Sequence, residues 1–130
     1  KVEIKAEARS RDRWKLDDQT SHMKECFEKA AEKFGGRVDF KAVNEYPSFS
    51  IPENAPIINI LRKAADAVKV PLALEETGGG SDTNIFNGKG IEAVNVSVGM
   101  NKVHSVDENI AIDDLVKAAE FMVAVISNIE

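Results

Sequence analysis

The residues in this chain whose types and spacing could do chemistry fall mostly between positions 78 and 104. They are a glycine run, Gly78-Gly79-Gly80, continued by Ser81-Asp82-Thr83-Asn84, and a polar loop carrying His104, one of two histidines. Consecutive glycines supply no side chain to a core and lose the most backbone entropy on folding. A run of them marks a place where main chain approaches something closely. Main-chain N–H groups in such a loop can cradle an anion. The run lacks the Gly-Lys-Ser/Thr ending of a nucleotide phosphate loop, and its glycines are contiguous rather than spaced as in a dinucleotide fingerprint. His104 offers a neutral imidazole beside carboxylates, which suits a metal, although one histidine is not a site. A hydrolase triad of Ser81, His104 and an aspartate is disfavoured, because the serine has no Gly-x-Ser-x-Gly elbow. Glu75-Glu76 invites an acid/base reading, yet neighbours on a strand point to opposite faces and cannot share one task. Arg9 reads either as a surface ion pair or as a side chain that leaves a strand end to reach a cleft. His22 lacks a partner at ligand spacing and reads as a surface or partly packed histidine.

Alternating patterns predict the elements that position these groups. Val2, Ile4, Ala6 and Ala8 give a strand with one buried face, ending at Arg9. Asp17 or Asp18 caps a helix that stops at Gly35-Gly36, with Met23, Phe27, Ala30 or Ala31, and Phe34 as its stripe. Val38, Phe40 and Ala42 form a second strand. The prolines of Tyr46–Pro52 break the pattern and mark a domain boundary. Asn54 caps a helix with Pro56 in its first turn and a wide apolar face from Ile57 to Val68. A short strand at Leu72–Leu74 leads into the glycine run, a short helix capped by Ser81 or Asp82 ends at Asn87-Gly88, and a strand follows at Ala93–Val98. The last helix starts near Asp113-Asp114 and presents Leu115, Ala119, Met122, Val123, Ile126 and Ile129 to a sheet. The predicted fold class is therefore α/β (α+β), ordered β-α-β over 1–49 and α-β-β-α over 50–130.

Composition narrows the classes of function. With 130 residues, 43% of them hydrophobic, the chain has enough apolar material for a packed core. A net charge of −5 and the lack of a basic stripe argue against nucleic acid and anionic membranes as partners. No apolar run is long enough to span a bilayer. The single cysteine, Cys26, fits a reducing compartment, so a cytoplasmic location is expected. The chain opens without methionine on a strand-like stretch, which reads as a fragment or a processed chain.

Taken in order, Gly79-Gly80-Ser81-Asp82-Thr83-Asn84, Gly90-Ile91, Val94-Asn95, Val98-Gly99, His104 and Ile112–Lys117 resemble the C-terminal part of a peptidase T-like zinc-dependent metallopeptidase. That superfamily also holds the aminoacylase, carnosinase and carboxypeptidase G types. The resemblance covers essentially the whole chain: 1–49 is similar to the second half of a lid or dimerisation domain, and 50–130 to the end of the catalytic domain. It implies a fold that hydrolyses short peptides or N-acyl amino acids with two divalent metal ions, zinc foremost. By position it implies His104 as a metal ligand, Gly79, Gly80 and Ser81 as a substrate-gripping loop, and Arg9 as a clamp on the substrate carboxylate. It places no catalytic base in this chain, and Glu75-Glu76 does not inherit the family's Glu-Glu roles. The remaining ligands belong to an N-terminal portion outside this sequence. Ser105-Val106 departs from the family's Thr-Thr, and Thr83 from its usual alanine. The strand at 2–8, without its family neighbours, leaves an open edge that implies a homodimer through the lid half. The alternative reading is a non-catalytic association module.

Overall fold

The structure is a computed structural model and describes residues 1–129. Four helices carry the fold: α1 (Arg13–Lys33), α2 (Pro56–Val68), α3 (Asp82–Gly88) and α4 (Ile112–Ser127). The chain divides into two compact units. One comprises residues 1–49 and 77–90, the other residues 50–76 and 91–130.

The predicted β-α-β and α-β-β-α order is corrected by this architecture. Among the described residues no sheet forms, and the one β-type pairing is an isolated antiparallel bridge between Asn101 and Asn109. The alternating segments 2–8, 38–42, 72–74 and 93–98 are not strands. Alternation specifies which side chains share a face, but a strand exists only when a neighbour takes up its main-chain hydrogen bonds. Among the described residues no two of these segments pair in a ladder. The face that alternation marked for burial accordingly stays in solvent at the N-terminus, where Val2 is 83% exposed.

In the first unit, α1 starts earlier than its aspartates suggested. Asp12, rather than Asp17 or Asp18, is the N-cap, its Oδ1 accepting from the N–H of Trp14 at 2.9 Å and of Lys15 at 3.3 Å. Asp17 instead lies one turn inside the helix and pairs with Arg13 Nε at 2.8 Å. The helix ends as expected, with Gly35 in the left-handed region (φ +66°) and the Gly36 N–H on Ala31 O at 2.7 Å. Its half-buried stripe is Leu16, Thr20, Met23, Phe27 and Ala31, and Phe27 meets the Phe40 ring at a centroid distance of 6.2 Å. Phe34, expected in that stripe, is exposed beyond the helix end.

In the second unit, α2 packs on α4. Pro56 opens α2, as its missing N–H allows, and Ala55 rather than Asn54 is the N-cap. Ala55, Ile58, Leu61, Ala64 and Ala65 form a core with Phe121 of α4, flanked by Val94, Ala124 and Val125. The face of α4 that looks inward is thus not the predicted one. Leu115, Val123, Ile126 and Ile129 are exposed, with Val123 at 64% and Ile126 at 66%. Helix α4 is apolar nearly all round, so hydrophobic periodicity alone cannot select a side. The small residues Ala64, Ala65 and Ala124 admit a close approach that the bulkier stripe does not.

Candidate functional site

In the first unit, the glycine run follows Thr77, whose Oγ1 accepts from the Gly79 N–H at 3.1 Å. Ser81 is the N-cap of α3 and forms a reciprocal capping box with Asn84, its N–H donating to Asn84 Oδ1 at 3.0 Å. Asn84 is buried, and its Nδ2 donates to Pro47 O at 2.8 Å. That bond ties α3 to the Tyr46-Pro47 segment. The fit is close at two glycines. A Cβ on Gly88 would fall 2.7 Å from Pro47 Cγ, and one on Gly80 would overlap the Tyr46 hydroxyl. The close approach that the glycine run announced is therefore, at Gly80, an approach to Tyr46.

Arg9 lies in the same unit. Its Nε donates to the carboxylate of Glu7, and both side chains are solvent-exposed. That bond and the Glu7 charge raise the already high pKa of the guanidinium, with smaller contributions from the Tyr46 phenol and Glu45. Glu7 is held below the usual carboxylate range by the same hydrogen bond and charge. Arg9, Tyr46, Thr77, Gly78 and Gly79 line one open cleft. Two of the expected site features, Arg9 and the glycine run, thus stand together in one unit. Tyr46 went unmarked in the sequence. Its only signal was the glycine run itself, which announces a close neighbour without identifying it.

His104 belongs to the second unit and sits on a loop tied at its base. Asn101 N–H donates to Asn109 O at 2.8 Å, and Asn109 N–H returns to Asn101 O at 3.2 Å. Within the loop, Ser105 Oγ donates to Lys102 O at 2.7 Å and accepts from the Asp107 N–H at 3.2 Å. His104 adopts φ +64°, a left-handed conformation uncommon for a residue with a side chain. Its N–H donates to Glu108 Oε2 at 2.8 Å. The imidazole-bearing residue is exposed.

Among the described residues no group of three or more His, Cys, Asp or Glu is placed to hold a metal ion. A catalytic zinc centre typically takes three protein ligands, and among the described residues His104 is not part of such a group. His22, the other histidine, stands over Cys26 on exposed α1, with Nε2 3.6 Å from Sγ. No helix among the described residues is long and apolar enough to cross a membrane.

Comparison with known proteins follows the same residues. Residues 2–128 match the sequence profile of peptidase family M20/M25/M40. The uncharacterized protein YqjE of Bacillus subtilis is 41% identical over 125 residues, which covers 96% of this chain and 34% of that protein. Peptidase T of Listeria innocua is 28% identical over 117 residues, covering 88% of this chain and 28% of its own length. Two solved structures are similar in fold. The aminopeptidase PepT of Bacillus cereus has a TM-score of 0.72 at 34% identity, and a tripeptidase of Staphylococcus aureus has 0.79 at 31%. Each alignment covers 90% of this chain and 31% of the solved chain. The chain therefore spans about a third of the length of the relatives it matches.

Proposed function

The chain belongs to peptidase family M20/M25/M40, and we propose that it serves as the C-terminal portion of a metal-dependent exopeptidase acting on short peptides. The observation that carries this reading is the match over residues 2–128, which takes in Arg9, the glycine run and His104 together. The names of its relatives, a peptidase T, an aminopeptidase and a tripeptidase, support a short peptide as substrate.

In this reading Arg9 binds the free carboxylate of the peptide. A guanidinium holds a carboxylate by two parallel hydrogen bonds, and Glu7 already shows Arg9 engaged with one. The glycine run lets the peptide main chain lie close, with Ser81 fixing the direction in which the chain turns into α3. His104 is one ligand of a divalent metal pair, zinc foremost. When bound, such a pair activates water and polarises the scissile carbonyl. The other ligands and the general base would come from polypeptide beyond this sequence. The reading also includes a cytoplasmic location and a homodimer formed through the lid half, residues 1–49, and sedimentation of the chain at high concentration tests the dimer.

The test is a comparison in the enzyme that contains this segment. Arg9→Lys keeps the charge but loses the fork, and should lower kcat/KM for free-acid tripeptides by roughly 10- to 100-fold. C-terminally amidated peptides should lose less. His104→Ala should lower metal content and turnover of every substrate alike. Equal losses on acid and amide in the Arg9 variant would remove the carboxylate role. Chelator-sensitive turnover of a tripeptide by the 130-residue chain alone would show that the site lies elsewhere.

A further inference from the structure

We propose that Tyr46 is a substrate-binding residue of the Arg9 site, its hydroxyl donating a hydrogen bond to the carboxylate that Arg9 holds. The proposal rests on the carboxylate reading of Arg9 and adds a second, neutral donor to it.

The first ground is position. The Tyr46 hydroxyl occupies the space where a Gly80 side chain would begin, so it stands against the main chain of the glycine run. Tyr46 and Arg9 line the same cleft. A carboxylate gripped by Arg9 with its peptide along the glycine run would meet this hydroxyl. A phenol O–H is a good donor to a carboxylate oxygen and adds no charge of its own at neutral pH.

The second ground is that Tyr46 is held in place from both sides. With its amide oriented to satisfy both groups, Asn44 donates to Tyr46 O at 2.9 Å and accepts from Arg13 Nη1 at 2.7 Å. On the other side, buried Asn84 donates to Pro47 O at 2.8 Å. A side chain whose main chain is fixed by its neighbours, on a segment anchored to two helices, is preorganised for binding. The two asparagines act through Tyr46 and are positioning residues.

A space-filling role for the ring makes a different prediction from a binding role for the hydroxyl, and Tyr46→Phe separates the two. This variant keeps the ring against Gly80 and removes one oxygen. Binding to the chelator-treated enzyme that contains this segment is read by titration calorimetry with trialanine and with trialanine amide as probes. The wild-type enzyme should prefer the free acid. Tyr46→Phe should weaken acid binding about 10-fold, the loss of one hydrogen bond to a charged group, and leave amide binding and the melting temperature nearly unchanged. Arg9→Ala should abolish the preference. Unchanged acid binding in Tyr46→Phe, with the preference still lost in Arg9→Ala, would overturn the role of Tyr46 and leave that of Arg9 standing. Equal loss of acid and amide in Tyr46→Phe would overturn the proposal in favour of a packing role. A wild-type enzyme that does not distinguish acid from amide would overturn both roles at once.

Discussion

The main-chain N–H of His104 donates to the carboxylate of Glu108, four residues on, at 2.8 Å. The bond spans the loop tip and holds His104 at φ +64°. Glu108→Ala should therefore speed amide hydrogen exchange at His104 by roughly 5- to 10-fold, matching a hydrogen bond of ~1 kcal/mol at an exposed site. Glu108→Gln keeps an acceptor oxygen and should retain most of the protection. Exchange at Asn101 and Asn109, whose bridge does not involve Glu108, should stay as it is.

His104 carries a backbone cost that glycine would not. A left-handed conformation costs a side-chain-bearing residue about 1–2 kcal/mol, against about 0.5–1 kcal/mol for the extra entropy glycine loses on folding. His104→Gly should leave the melting temperature equal or slightly raised while removing the imidazole. A clear drop in melting temperature would show that the side chain is needed for the loop's own packing. Gly99 presents the converse. It sits at φ +88°, and a Cβ there would come within 3.1 Å of Asp114 Cβ, so Gly99→Ala should destabilise the second unit.

The two faces of α4 should respond unequally to substitution. Phe121 is buried against α2, and Phe121→Ala should cost about 3 kcal/mol by denaturant unfolding. Val123 is on the exposed face, and Val123→Ser should stay within about 0.5 kcal/mol of the parent. Comparable losses at both positions would mean that the outer face is covered in solution.

The pairing of Glu7 with Arg9 sets a pH window. Because Glu7's pKa is lowered in the folded chain, the ion pair is complete above the ordinary glutamate range and is lost as pH falls through the lowered value. A carboxyl titration followed by NMR should give Glu7 a lower midpoint than an ordinary exposed glutamate. Arg9→Ala should return Glu7 to the ordinary value.

The sequence was most legible where structure is local. Gly35 as a left-handed stop, Pro56 at the start of α2, and α3 ending at Gly88 behind its Ser81 cap are decided by residues within a turn of each other. The motifs from Gly79 to Lys117 also carried the family resemblance, which the match over residues 2–128 supports. Reading failed where a distant partner decides. Alternation at Val2–Ala8 and Ala93–Val98 described a face, but no neighbouring strand among the described residues completes it. On α4 two apolar stripes compete, and it is Phe121, not Val123, that joins the core formed with α2. Tyr46 is far from Gly80 in sequence, so nothing nearby announced that they touch. The N-cap of α1 was misplaced for a smaller reason: three aspartates compete, and Asp12 takes the cap because the helix can already begin at Arg13.

The loop that carries His104 draws the hydrogen bonds described for it from within residues 99–109. Its hydrogen bonds are therefore local in sequence. Loops of about ten residues close in roughly 10–100 ns, whereas non-local contacts must await a larger loss of chain entropy. The packing of α2 on α4 brings together segments far apart in the chain and belongs to that slower class. In the order of folding events, the turn that presents His104 can thus be made before the core of its own unit.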